Sequence, residues 1–484
     1  MKEKLYLTTT LPYVNADAHL GHVLEFVQAD ILVRYNRLIG KEVFFNIGTD
    51  EHGQKIWKKA LEAGREPQEF ADFYAARFRA LMDSLHLATD DPNFNFIRTT
   101  DEHHIKAAQE FWRRCDTAGD IYKKAYKIKY CTGCELEKTD SELVGGKCPL
   151  HPNLEIEVID EENYFFRFSK YQTALLELYD NTNFVVPAGR LKEIKNFVAG
   201  GLQDFSISRL KSKMPWGIPV PGDDDQVMYV WFDALTNYIS AIGWPEDEKK
   251  FEKWWPVVQL AGKDNLRQQS AMWQAMLLSA GIEPSGRIII HGFITSDGQK
   301  MSKSLGNVVD PLAVIEDYGA EALRYYLARE VTPFEDGDFT LEKFKQSYNA
   351  NLANGLGNLT SRIIKMYQSY EVEEPTAELK PATEMIGEEF FREYRENLDN
   401  YEIGKAADFI WTQIGEADLY IQNTKPFSLY KTAPEEARKH VAYLIASLWR
   451  ISVALEPFMP ETAEKIQQAI KTKELAAPLF LRKE

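Results

Sequence analysis

The chain of 484 residues carries a formal net charge of −16, which excludes a protein that coats nucleic acid through broad counterion release; a nucleic-acid partner would need local basic surfaces. At roughly 150 residues per domain, its length predicts about three domains. A hydrophobic content of 44% predicts a globular chain, and no apolar run approaches the ~20 residues of a membrane span, so no membrane partner is expected. Met1-Lys2-Glu3-Lys4 leads straight into a strand pattern and leaves no room for a signal peptide, which predicts a cytoplasmic location.

Leu5-Tyr6-Leu7-Thr8-Thr9-Thr10 reads as a buried strand that Pro12-Tyr13-Val14-Asn15 breaks. From His19, apolar residues recur at Val23, Phe26, Val27 and Ile31, a helical spacing that stops at Gly40. Glu42-Val43-Phe44-Phe45-Asn46-Ile47 is the next strand, ending in Gly48-Thr49-Asp50-Glu51-His52-Gly53. Strand, helix and strand form a βαβ unit of a parallel nucleotide-binding sheet, with polar residues at the C-terminal strand ends where such sheets hold ligands.

The sheet pattern is interrupted from about Cys115 to Gln226. Within it, Cys131-x-x-Cys134 and Cys148-x-x-His151 present two ligands on each of two turns, enough to close a tetrahedral zinc site with no open position, which reads as structural. A disulfide is disfavoured in a cytosolic chain where Cys115 leaves an uneven pairing. Two stretches, Arg113 to Lys129 and Arg190 to Lys213, are locally basic, although composition alone favours solvated charged faces there. Sheet signals return at Val227 to Asp233, at Trp255 to Asp264 and at Arg287 to Phe293. Beyond about Tyr348 the pattern is helical, with Leu352, Leu356, Leu359, Ile363, Ile364 and Tyr367 at core spacing, and a separate bundle is expected.

Two short segments supply what ATP needs to react at its α-phosphate. His19-Leu20-Gly21-His22 lies where a strand feeds a helix, so its histidines and the helix N-terminus can face phosphate oxygens. Lys300-Met301-Ser302-Lys303-Ser304 places two lysines on a Gly/Ser-rich loop able to bring positive charge over a triphosphate. Either alone is weak, since a short histidine string arises at many helix starts. The ordered pair, with a nucleotide-binding pattern between, is specific.

With these motifs, Leu11-Pro12-Tyr13-Val14-Asn15, the zinc knuckle, Tyr229-Val230-Trp231-Phe232-Asp233-Ala234-Leu235-Thr236-Asn237-Tyr238 and Gly262-Lys263-Asp264, the chain resembles the class I aminoacyl-tRNA synthetases, most closely the methionine-specific branch, over nearly its whole length. The resemblance implies an α/β fold: a Rossmann-like parallel-sheet catalytic domain (1–114 and 227–290) split by a zinc-containing connective insertion (115–226), a lysine-loop and stem-contact region (291–347) and an α-helical anticodon-binding bundle (348–484). It implies activation of L-methionine with ATP and Mg²⁺ to methionyl-adenylate, then transfer to tRNA(Met). His19, His22, Lys300 and Lys303 would carry the phosphate chemistry, and Gly21, His291, Gly292 and Lys303 would hold ATP. Asp50 would take the substrate ammonium, with Leu11, Trp231, Ala234, Tyr238 and Trp273 around the thioether; as plain chemistry such aromatics mostly pack cores, and their place in the motifs assigns them to a pocket. Arg209 and Asp264 match positions that pair in the family, and Asn358, Arg362 and Phe427 match its anticodon readers, with phenylalanine in place of tryptophan.

One departure stands out. Where many members place an aromatic residue and a histidine beside the methionine side chain, this chain has Gln268-Gln269. The alternatives are a sister synthetase for isoleucine, leucine or valine, a smaller nucleotidyltransferase and an inactive tRNA-binding paralogue. The first needs an editing domain larger than this insertion, the second lacks the knuckle and helical tail, and the third usually loses the ATP residues. With no further module after Glu484, a monomer is expected.

Overall fold

The computed structural model describes residues 3–296, 298–301 and 309–484. Its centre is a six-stranded, wholly parallel sheet of β1 (Lys4–Thr8), β2 (Glu42–Thr49), β3 (Phe94–Arg98), β4 (Val185–Val186), β5 (Val257–Gly262) and β6 (Arg287–His291), in the order β3-β2-β1-β5-β6-β4. Both faces are covered. Leu7 packs under helix α1 (Leu20–Leu38) with Val27, while Tyr6 joins Phe44 and Trp254 on the opposite side. Burial on both faces is why these strands read as near-continuous apolar runs rather than alternating ones.

The interruption after β3 is a domain of antiparallel strands. Leu136–Lys138, Ile121–Cys131, Glu157–Phe166 and Phe205–Ser206 form one sheet, and Pro219–Val220, Asp223–Met228 and Ser208–Leu210 a second. Two features differ from the sequence reading. The sheet's edge strand β4 comes from inside the expected insertion. The run Val227 to Asp233 supplies only the end of an antiparallel strand and then turns at Tyr229 into a short helix, Val230–Ala234; a short apolar run buried on all sides does not distinguish strand from helix.

The helical tail is also less separate than expected. One apolar core runs from Leu7 and Val27 through Leu323 and Tyr325 to Ile410, Leu444 and Ile466. Its polar pivot is Arg324, fully buried on helix Ala320–Arg329. Arg324 Nη2 lies 2.6 Å from Asp30 Oδ2 of α1, and its guanidinium donates to the carbonyls of Pro457 (3.0 Å) and Phe458 (2.8 Å) in the turn between the last two helices of the tail, Pro434–Leu455 and Pro460–Thr472. Burial pushes the Asp30 carboxyl up, but Arg324 and Arg34 outweigh it and hold it below the ordinary value. Removing one partner of such a pair is the costly operation. R324M is expected to lose on the order of 3–5 kcal/mol in urea unfolding, and the double variant D30L/R324M to recover part of that loss.

Candidate functional site

At the C-terminal ends of the strands, where β1 lies between β2 and β5, a cleft of about 420 Å³ opens. It sits at the reversal of strand order, the position at which open parallel sheets bind ligands. On one side stands the N-terminus of α1, capped by its own histidines. His19 Nδ1 accepts from the Gly21 N–H at 3.1 Å, and His22 Nδ1 accepts from the His19 N–H at 3.4 Å. The two rings stack with centroids 3.8 Å apart. A side chain on residue 21 would put its Cβ 2.9 Å from His19 Cε1, so glycine there lets the His19 ring keep this position. With each Nδ1 occupied as acceptor, a neutral ring at either position carries its proton on Nε2. His22 is held well below the ordinary histidine value by burial first, then by His19 and Lys55, and is therefore neutral.

Asp50 follows β2 and is almost fully buried, its backbone bonded to Pro12 and Val14. Its Oδ1 has no hydrogen-bond partner among the described residues. Burial, then the neighbouring Asp233, push its carboxyl well above the usual range. Asp233 is the opposite case: His52 Nδ1 lies 2.7 Å from one carboxylate oxygen and His104 Nε2 2.8 Å from the other. Burial pushes the Asp233 carboxyl up, but the two histidines hold it below the ordinary value.

His291 and Gly292 close the cleft at the end of β6. A Cβ on Gly292 would fall 1.9 Å from the Glu335 carbonyl oxygen, so the backbone there admits no side chain. His291 Nε2 lies 2.8 Å from Glu25 Oε2, and the other Glu25 oxygen accepts from the Thr10 N–H (2.5 Å) and hydroxyl (2.7 Å). Glu25 was missed in the sequence; it is a helix residue whose role emerges only when β6 is placed beside α1.

Leu11, Trp231, Ala234, Tyr238 and Gln269 all line the cleft, with Gln268 beside them. Trp273 does not. It is fully buried behind the wall, its ring 5.9 Å from that of Tyr238. Asp264 lines the cleft and is exposed. Arg209 is buried in the insertion, donating to Ser206 Oγ and the Ser208 carbonyl and lying over the rings of Tyr130 and Tyr229. Lys303 and the side chain of Lys300 lie outside the described residues.

Cys131, Cys134, Cys148 and His151 converge, with ligand atoms all within 4.8 Å of one another. Individual separations are 3.2 Å for Cys134 Sγ to His151 Nδ1, 3.5 Å for Cys134 Sγ to Cys148 Sγ and 3.8 Å for Cys131 Sγ to His151 Nδ1. Zn–S bonds of about 2.3 Å and Zn–N bonds of about 2.0 Å make tetrahedral edges of roughly 3.5–3.8 Å, so the four residues could hold one metal ion. The knuckle also forms a wall of the cleft, through Gly133, Cys134, Leu150 and His151.

In the helical tail, Arg362 and Phe427 line a second cleft of about 260 Å³ with Tyr370. Phe427 is 50% exposed, while Arg362 is paired with Asp418 at 2.5 Å. Asn358, one turn before Arg362, is exposed but outside that cleft. In the basic stretches, Arg113, Lys123, Lys129, Arg190 and Lys195 each meet a carboxylate, so these residues form mixed rather than purely positive surfaces.

The model of the family described as tRNA synthetases class I (M) matches residues 5–157 and 151–364. That of the anticodon binding domain of methionyl tRNA ligase matches residues 375–482. The methionine–tRNA ligase of Thermotoga maritima is 40% identical over 483 residues, covering 97% of this chain and 76% of that protein. That of a Nostoc species is 40% identical over 478 residues, covering 96% of this chain and 89% of its own. The solved structure of Mycobacterium tuberculosis methionyl-tRNA synthetase in complex with methionyl-adenylate superposes with a TM-score of 0.88 at 34% identity, covering 100% of this chain and 99% of that one. The chain belongs to the methionine–tRNA ligase family of class I synthetases.

The His291–Glu25 pair has a pH signature. Burial opposes charge on His291, but the Glu25 hydrogen bond and charge outweigh it and raise the pKa above the ordinary value. Stability from a raised histidine is full below its unfolded pKa, near 6.5, and is lost as pH rises through the folded value. E25Q keeps an acceptor for Thr10 but removes the charge. It is expected to lower the urea midpoint more at about pH 6 than at about pH 9; an equal loss at both would assign Glu25 to neutral hydrogen bonding alone.

Proposed function

We infer that the chain is a methionine–tRNA ligase. A methionine carboxylate oxygen attacks the α-phosphorus of ATP, the bond to diphosphate breaks, and the terminal ribose of tRNA(Met) then takes the methionyl group from AMP. The observation that carries the reading is Asp50, a buried carboxylate with an unpartnered oxygen, which lines the same cleft as the capped N-terminus of α1. An unpaired buried carboxylate calls for a cation, and an amino-acid ammonium supplies one while the substrate's own carboxylate points toward phosphate.

The attacking carboxylate is already a nucleophile, so the protein's work is alignment and charge neutralisation. The Nε2–H groups of His19 and His22 donate to phosphate oxygens beside the positive end of α1. Lys300 and Lys303 stabilise charge growing on diphosphate, and Mg²⁺ accompanies the nucleotide. Gly21, His291 and Gly292 border the nucleotide, while Leu11, Trp231, Ala234, Tyr238 and Gln269 enclose the side chain, with Trp273 supporting Tyr238 from behind. Arg209, buried in the insertion, and Asp264, which lines the cleft, form the structural pair that the family resemblance implies. Asn358, Arg362 and Phe427 meet the anticodon, where stacking on an aromatic ring is worth roughly 1–3 kcal/mol per base. Zinc suits the three thiolates and one imidazole of the knuckle, where it would fix the wall that carries Cys134 and His151. The five segments bounded at 114, 226, 290 and 347 act as one cytoplasmic monomer.

Pyrophosphate exchange into ATP, run with each candidate amino acid, is expected to respond to methionine; a flat response or a preference for isoleucine or leucine would sink the reading. D50N is expected to lower methionine kcat/KM by about 100-fold, the loss of a charge-assisted contact. The same variant should be as stable as the parent or more so at neutral pH. The raised folded pKa of Asp50 means that ionising it in the free cleft costs stability as pH rises above the unfolded carboxyl value.

The knuckle should bind about one zinc per chain. C131S is expected to lose that metal and to make the insertion protease-sensitive. A metal-free, fully active parent would contradict the zinc assignment.

A further inference from the structure

The rim of the cleft carries contacts of its own, outside the pocket. The segment after β5 bears Lys263 and Arg267, and each lies over an aromatic ring: the Lys263 ammonium 4.5 Å from the centroid of Phe293, the Arg267 guanidinium 4.4 Å from that of Phe197. Phe197 belongs to helix Ala188–Ala199, inside one of the two locally basic stretches. Asp264 and Asn265, between the two cations, line the cleft; Arg267 does not, and is exposed. Cations alternating with aromatic rings suit a single-stranded nucleic acid, whose bases stack and whose phosphates take charge. Lys263 is committed to Asp336, 2.6 Å from both carboxylate oxygens. Arg267 is held more loosely. Its Nη1 reaches one oxygen of Glu142, in the loop between the two ligand pairs of the knuckle, at 3.3 Å, with 57% of the Arg267 side chain exposed. The other Glu142 oxygen accepts from the Thr139 N–H and hydroxyl, both at 3.0 Å. If Arg267 turned to another anion, Glu142 would keep these partners, and an ion pair so long and so exposed costs little to break.

The second step of the reaction supplies such an anion. To take the methionyl group, the terminal ribose of tRNA must enter the cleft, and the unpaired 3′ strand behind it crosses the rim with a phosphate on every nucleotide. We propose that Arg267 takes a backbone phosphate of that strand in place of Glu142, so that the tRNA end passes between the knuckle and helix Ala188–Ala199. A guanidinium suits the exchange: its fork matches phosphate as well as carboxylate, and its face stays on Phe197 while its edge changes partner. The inference rests on the ligase reading above and adds a contact used only in transfer, not in methionine activation.

The test compares pyrophosphate exchange, which needs no tRNA, with charging of tRNA(Met) by the parent, R267Q, R267K and E142Q. R267Q is expected to stay within about twofold of the parent in exchange and to lose about 10-fold in kcat/KM for tRNA, the worth of one charge-assisted contact. Its plot of log(kcat/KM) for tRNA against log salt should be shallower by about 0.7, the share of one phosphate on a single strand. R267K should keep the parent's slope, and E142Q, which frees Arg267, should charge at least as well as the parent. A tRNA(Met) lacking its unpaired 3′ nucleotides, used as a competitive inhibitor, should bind the parent and R267Q within about twofold of each other. Equal losses by R267Q in exchange and charging would assign Arg267 to the adenylate site. Equal losses in charging by R267Q and E142Q would make the pair a brace for the knuckle, and unchanged charging by R267Q would remove the contact. Each of these overturns the proposal and leaves methionine activation standing. A parent that does not respond to methionine overturns both.

Discussion

The reversal of strand order beside β1 is the constraint on which the rest depends. Parallel strands cannot be joined by tight turns, so each connection crosses a face of the sheet and returns. With β2 and β3 built to one side of β1 and β5, β6 and β4 to the other, the connections diverge and leave a gap at the strand ends. The N-terminus of α1, the turn after β2, the start of the segment after β5 and the end of β6 all open on that gap. Residues 19–22, 50, 264 and 291–292, remote in sequence, become neighbours through this one topological step.

Among the charges buried away from the cleft, Asp30 and Arg324 share their contacts with backbone groups of two segments, residues 85–88 and 457–458, and Asp233 holds a histidine on each oxygen. Around the cleft, Asp50 Oδ1, the Tyr13 hydroxyl, Trp231 Nε1 and Gln268 Oε1 are buried without a partner among the described residues. Each such atom costs about 1–3 kcal/mol when left unpaired. At the cleft, a ligand's polar groups can recover that cost. Asp50 and Asp233 illustrate the point, since they are similarly buried neighbours whose carboxyls are shifted in opposite directions because only Asp233 has a histidine on each oxygen.

Much of this was legible in the sequence, for reasons that differ by residue. The βαβ start and the knuckle are local: their signals lie in spacing within a few residues, and the capping geometry of His19, Gly21 and His22 is contained in one helical turn. Glu25 and the histidines around Asp233 were not legible as site residues, because each owes its role to a partner brought by another strand or helix. Trp273 has the right motif and the wrong depth; sequence spacing places it on the helix but not behind Tyr238. The turn at Tyr229 was misread as strand because β-branched and aromatic residues also fill buried helices. The joining of tail and sheet in one core was invisible for a related reason: amphipathic periodicity marks which face is buried, not what buries it.

Helix α1 then acquires a mechanical meaning beyond its capped end. Its 19 residues span about 28 Å, with the stacked rings of His19 and His22 at one end. Asp30, in the middle, grips Arg324 and through it the carbonyls of Pro457 and Phe458. Tyr35, near the far end, donates to Asp399 Oδ1 at 2.8 Å on another helix of the tail. A rigid helix held at its middle and far end by the tail cannot shift there without moving its N-terminus, and the sheet beneath resists that motion through Leu7 and Val27. The tail therefore does more than append a second cleft to the catalytic half. It helps to fix the axis along which the helix dipole and its two imidazoles meet the cleft.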